Sequence, residues 1–148
     1  MSKLFEFGKK VLKEQPFSTL LGTELASFEP GEAVLTLNVR EELKQQYGFV
    51  HGGVISYLAD NALTYAGGSV LGNSVTSEFK INYVRPAIGE KLIARASVLS
   101  SGKMQAICEC KIFVVSDKGE VMVAVGQGTI IKVGKVEDAA SPALPAGA

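Results

Sequence analysis

QQYGFVHGGVISYLADNALTYAG occupies residues 45–67 and holds the one strong helical pattern inside the chain. Its spacing predicts a helix over Gly53–Gly68. At about 100° per residue, Val54, Ile55, Leu58, Ala59, Ala62, Leu63 and Ala66 form one continuous apolar half-cylinder. Gly53, Ser56, Tyr57, Asp60, Asn61, Thr64, Gly67 and Gly68 fill the other half. An ordinary surface helix would carry several Lys, Glu or Arg residues there. Here Asp60 is the single formal charge, and with His51 neutral it is the only one between Lys44 and Glu78. Such a face suits close approach by another protein surface or a ligand better than bulk water. An isolated carboxylate on it is costly unless it is hydrogen-bonded or useful. The plainer reading is a structural aspartate satisfied by Thr64 at i+4, by Ser56 or by a backbone amide. The functional reading is a carboxylate held for chemistry, and the helix by itself leaves both open.

His51-Gly52-Gly53 stands directly before this helix. Glycines at a helix start leave N–H groups open to a ligand oxygen, and the helix dipole favours negative charge there. That is the equipment of an oxyanion site. A Gly-Gly pair also simply permits a tight turn, and a lone histidine is more often structural than catalytic. The combination of the two with a charge-free run and one carboxylate is more specific than either.

Working outward, residues 3–14 place Leu4, Phe7, Val11 and Leu12 at helical spacing, and Gln15-Pro16 ends that helix. A short helical turn is expected at Phe17–Leu21, then strands Glu24–Glu29 and Ala33–Val39 joined by Pro30-Gly31. Arg40–Lys44 reads as a short turn. After the central helix come four runs rich in Val, Ile, Thr and aromatics: Ser74–Val84, Leu92–Ser100, Gln105–Ser116 and Val121–Val133. Ser101-Gly102-Lys103 and Asp117-Lys118-Gly119 read as hairpin turns, so the strands pair antiparallel. The expected architecture is α+β: a hairpin, a buried helix and a meander of four long strands, with an N-terminal helix. Residues 1–134 form one domain, and the Ala/Pro/Ser/Gly-rich residues 135–148 are expected to be a disordered tail.

Composition removes whole classes of function. The 148 residues suit one domain. Fifteen basic and fifteen acidic residues cancel, leaving no excess to hold a nucleic-acid backbone. No apolar run reaches the length of a membrane span or a signal peptide, which argues for a cytoplasmic setting. Cys108 and Cys110, two apart in a strand, point to one face and do not suit a disulfide. One histidine and two distant cysteines match no metal-ligand spacing.

The 45–67 stretch resembles the signature of hot-dog-fold acyl-CoA thioesterases of the phenylacetate-pathway and 4-hydroxybenzoyl-CoA type: an amide residue, a glycine, HGG, four variable residues and L-A-[DE]. TSEFKINYVRPAIGE, residues 76–90, resembles the family's strand after the helix, with its aromatic-x-x-Pro ending. The resemblance covers roughly residues 15–133. It implies a central helix wrapped by a curved antiparallel sheet, protomers paired edge to edge as a homodimer or dimer of dimers, and an active site at their interface. Position by position it makes Asp60 the catalytic carboxylate, as general base or nucleophile, and Gly52 the backbone donor to the thioester carbonyl. Gln45 falls on an amide position, Thr64 on a water-placing hydroxyl and Thr76 where another branch uses serine. His51 joins the catalytic candidates; Gly53, Asn61, Thr76, Tyr57, Arg85 and Lys103 are the substrate-binding ones. Lys80 is a further cation for the phosphates, and Tyr47 and Phe49 candidate walls of the acyl pocket. No cofactor or metal is expected, since coenzyme A belongs to the substrate.

The chemistry agrees with these residue types. Thioester hydrolysis passes through a tetrahedral oxyanion, and losing one preorganised donor typically costs about 10²–10³ in rate. No G-x-S-x-G motif or second histidine offers a nucleophilic triad. Two alternatives stand beside the thioesterase: a hot-dog hydroxyacyl dehydratase or hydratase using His51 with Asp60, and a non-catalytic acyl-CoA-binding protein.

Overall fold

The computed structural model describes residues 2–134, so the expected tail at 135–148 lies outside the described residues. Helix α1 spans Lys3–Lys13, capped by the Ser2 hydroxyl accepting from the Phe5 N–H, and buries Phe5, Gly8 and Leu12. Gln15 is extended before Pro16, as a residue preceding proline prefers, and α2 runs Pro16–Leu21. Strands β1 (Glu24–Glu29) and β2 (Glu32–Asn38) form the hairpin, and a single 3-10 turn covers Glu41–Leu43. Helix α3 is Gly52–Leu71; then follow β3 (Ser74–Tyr83), β4 (Lys91–Ser101), β5 (Gln105–Ser116) and β6 (Gly119–Lys132).

The six strands make one antiparallel sheet in the order β1-β2-β4-β5-β6-β3, wrapped around α3. Leu58, Ala59, Ala62, Leu63 and Ala66 of the helix are fully enclosed against inward residues such as Leu35, Leu92, Ile112 and Ile130. This is the hot-dog arrangement that the resemblance implies. Cys108 and Cys110 share the inner face of β5, both buried and both free thiols. Burial pushes them up, to about 11 and about 12.

Two expectations need correction. The four-strand meander is really three strands, because β3 pairs with β6 and β4 crosses to β2. The linker after β3 cannot turn back as a tight hairpin. It is tied instead to other segments, the Ala87 carbonyl accepting from Val50 N–H at 3.0 Å and Glu90 N–H donating to the Val115 carbonyl at 2.8 Å. The central helix is also longer than Gly53–Gly68 at both ends. Gly67 does not break it, because its missing side chain makes room for Ile130: a Cβ there would lie 2.7 Å from that residue. The helix stops only at Gly72, whose φ of 87° is in the left-handed region.

Candidate active site

The first turn of α3 is built around His51. Its backbone is extended and its Nδ1 accepts from the Gly53 N–H at 2.8 Å, so the imidazole is the helix cap and its proton sits on Nε2. The Gly52 N–H has no acceptor among the described residues and is free to donate. Gln45 opens the preceding turn: its N–H donates to the Phe49 carbonyl at 2.9 Å, and its side-chain oxygen accepts from the Tyr47 N–H. These residues border a cleft of 360 Å³ lined by Gln45, Phe49, Gly52, Ile55, Tyr83 and Arg85, among others. The sequence candidates Gln45, Gly52, Phe49 and Arg85 are therefore brought together. Exposed Tyr47 lies outside the lining residues.

Asp60 lies two turns along the helix and is half-buried. Its Oδ1 accepts from the Thr76 hydroxyl at 2.6 Å. Burial raises its pKa above the ordinary 3.8, and the Thr76 hydrogen bond offsets only part of that. Oδ2 has no partner among the described residues. The i+4 expectation is corrected here: Thr64 donates to the main-chain oxygen of Asp60 at 2.8 Å, the usual back-bond of a helical threonine. It meets Thr76, not the carboxylate, at 2.7 Å between hydroxyls. Asp60, Thr64 and Thr76 thus form one connected group.

Tyr57 and Asn61 belong elsewhere. The Tyr57 hydroxyl is 2.6 Å from Ser18 Oγ and 2.8 Å from Thr23 Oγ1, and Asn61 Nδ2 donates to Gln15 Oε1 at 3.2 Å. They fasten α2 onto α3 and have no hydrogen bond to Asp60. Lys103 is exposed in the β4–β5 hairpin beside Met104, whose carbonyl accepts from Lys132 N–H near the start of β3. Arg85 follows the other end of that strand, so one chain does not unite these two cations. Lys80 is exposed on β3. Among the described residues no group of three or more His, Cys, Asp or Glu side chains is placed to hold a metal.

Tyr83 is the residue that sequence reasoning missed. Its hydroxyl donates to the Gly52 carbonyl at 2.9 Å. The only signal was the aromatic-x-x-Pro pattern, which marked a strand end and said nothing of where the ring goes.

A family model described as the thioesterase superfamily matches residues 47–121. The chain is 34% identical over 110 residues to acyl-coenzyme A thioesterase 13 of Homo sapiens, covering 70% of this chain and 76% of that protein. It is 30% identical over 113 residues to the 1,4-dihydroxy-2-naphthoyl-CoA hydrolase of Listeria monocytogenes, covering 74% and 89%. In structure it is similar to PaaI of the Escherichia coli phenylacetic acid degradation operon, with a TM-score of 0.81 at 27% identity over 89% of this chain and 94% of that one.

Proposed function

The chain belongs to the thioesterase superfamily, a family of thioester hydrolases, and from that premise we propose that it cleaves a small aromatic or medium-chain acyl-CoA to the free acid and CoA. The Gly52 N–H polarises the thioester carbonyl. Asp60, steadied by Thr76, removes a proton from the attacking water or attacks directly, and Thr64 completes the hydroxyl pair beside it. Gln45 lines the carbonyl end of the cleft and Arg85 receives a CoA phosphate at its rim.

One observation carries this reading to a site shared by two copies of the chain. Gly52 and Asp60 are eight residues apart, about 12 Å along one helix. Each must come within about 3 Å of its own target on a single carbonyl and water. Strand β3 lies at the sheet edge with a free side, and its two ends hold the two groups: Thr76 bonds Asp60, and Tyr83 bonds Gly52. Pairing β3 with its own copy about a two-fold axis runs the strands antiparallel. The Thr76 end of one then lies beside the Tyr83 end of the other, and each carboxylate faces the other chain's amide. A further pairing of such dimers is compatible with this arrangement.

The hydratase reading finds less support, because His51 Nδ1 is engaged as the helix cap by the Gly53 N–H. The test is thiol release from a panel of aromatic and medium-chain acyl-CoAs by wild type and Asp60→Asn. A fall of about 10²–10⁴ in kcat for the variant is expected. Equal rates would remove the catalytic assignment of Asp60, and no release from any substrate would leave the non-catalytic binding protein.

A further inference from the structure

Two consecutive glycines give the first turn of α3 no side chains with which to hold itself, and glycine backbone is the most costly to order. An oxyanion donor is useful only if it is fixed before the charge develops. The structure shows what restrains the Gly52–Gly53 peptide directly after this donor. His51 Nδ1 holds the Gly53 N–H from one side. From the other, the Tyr83 hydroxyl grips the Gly52 carbonyl at 2.9 Å, and the ring lies flush against the glycine: a Cβ at Gly52 would be 3.3 Å from both Cζ and Oη of Tyr83. The same ring lines the cleft beside Gln45 and Arg85. Tyr83 ends β3, where its Cα pairs with Ala124 of β6, so it links the sheet rigidly to the helix start.

We propose that Tyr83 is a positioning residue for thioester cleavage: its hydroxyl, together with His51 Nδ1, fixes the Gly52–Gly53 peptide and so one side of Gly52, whose own N–H on the preceding peptide is thereby held toward the cleft, and its ring enforces glycine at that position. The proposal rests on the reading of Gly52 as the carbonyl donor. Tyr83 touches no reacting atom and acts through the peptide it holds.

The experiment uses the full chain with phenylacetyl-CoA and octanoyl-CoA as probes. Tyr83→Phe keeps the ring and removes only the hydroxyl. It should lower kcat about 3- to 10-fold, the loss of one hydrogen bond, with KM, oligomeric state and Tm unchanged. In a nitrogen–proton correlation spectrum the Gly52 and Gly53 amide signals should move and exchange faster with solvent. Gly52→Ala should be strongly impaired in the wild-type background and several-fold less so on top of Tyr83→Ala, where the ring its methyl meets is gone. Wild-type kcat and unmoved glycine amides in Tyr83→Phe would overturn the proposal, and so would a Gly52→Ala penalty of equal size in both backgrounds. A fully active Gly52→Ala would overturn the claim that the ring enforces glycine, while the carbonyl-donor reading, whose N–H alanine keeps, falls instead if replacing the His51–Gly52 amide by an ester leaves kcat unchanged. Failure confined to Tyr83→Phe, with Gly52→Ala impaired, leaves that reading standing.

Discussion

Asp60 sits between opposing influences, and the larger is burial. Because its folded pKa is raised, the protonated form is the one the fold favours. The stability that this contributes is complete below the unfolded value and is lost as pH rises through the folded value. Asp60→Asn should therefore be more stable than wild type at neutral pH, with the difference in Tm closing in acid. Activity needs the ionised form, so the acid limb of the pH–rate profile should lie above the ordinary carboxylate range. Thr76→Val removes the bond that pulls the pKa down. Its acid limb should move to still higher pH, with kcat at neutral pH reduced several-fold, while Thr76→Ser should keep the wild-type profile. A limb unmoved in Thr76→Val would show that the hydroxyl does not tune the carboxylate. Asp60 was legible in the sequence because a lone carboxylate amid 32 neutral positions is an energetic anomaly. The resemblance put Thr76 among the site candidates but not on the carboxylate, because a β-bulge between Thr76 and Glu78 shifts the strand's alternation. Thr76 and Tyr83, seven apart, would face opposite ways in a regular strand; the bulge lets both reach α3.

At the scale of elements, α3 is held by shape more than by helix propensity. Gly67→Ala should gain up to about 1 kcal/mol in propensity. Against that, its methyl would meet Ile130, a residue with no exposure, at 2.7 Å. Overpacking of that kind costs roughly 1–3 kcal/mol, so a net loss of stability is expected in denaturant unfolding. The hairpin turns and strand runs were readable from period-two patterning and turn residues. The length of α3 was not, because a glycine pair reads as a stop until the strand that needs its empty space is known. The crossing of β4 to β2 was likewise hidden, since strand patterning records which face is buried and not which neighbour lies alongside. Tyr57 and Asn61 illustrate the same limit: both share the sparsely charged half of the helix with Asp60, and α2 with its cap Gln15 satisfies them.

For the whole molecule, the shared-site reading makes a quantitative demand. Asp60→Asn and Gly52→Ala should each be nearly inactive, yet a mixture of the two after subunit exchange should recover about a quarter of wild-type activity. Half of the dimers are then hybrids, and each hybrid holds one intact site and one doubly altered site. A site contained in one chain would give no recovery, and thiol release from the exchanged mixture decides between them. Sedimentation should show a particle of at least twice the 15.6 kDa chain mass.

The paired thiols of β5 make that measurement clean. The chain has only two cysteines, both enclosed and both held in the unreactive protonated form at neutral pH. A chromogenic disulfide reagent added to the native enzyme should thus meet no protein nucleophile, and all colour formed during turnover is liberated CoA. The same reagent in denaturant should titrate two equivalents per chain, which turns a background-free assay into a gauge of unfolding.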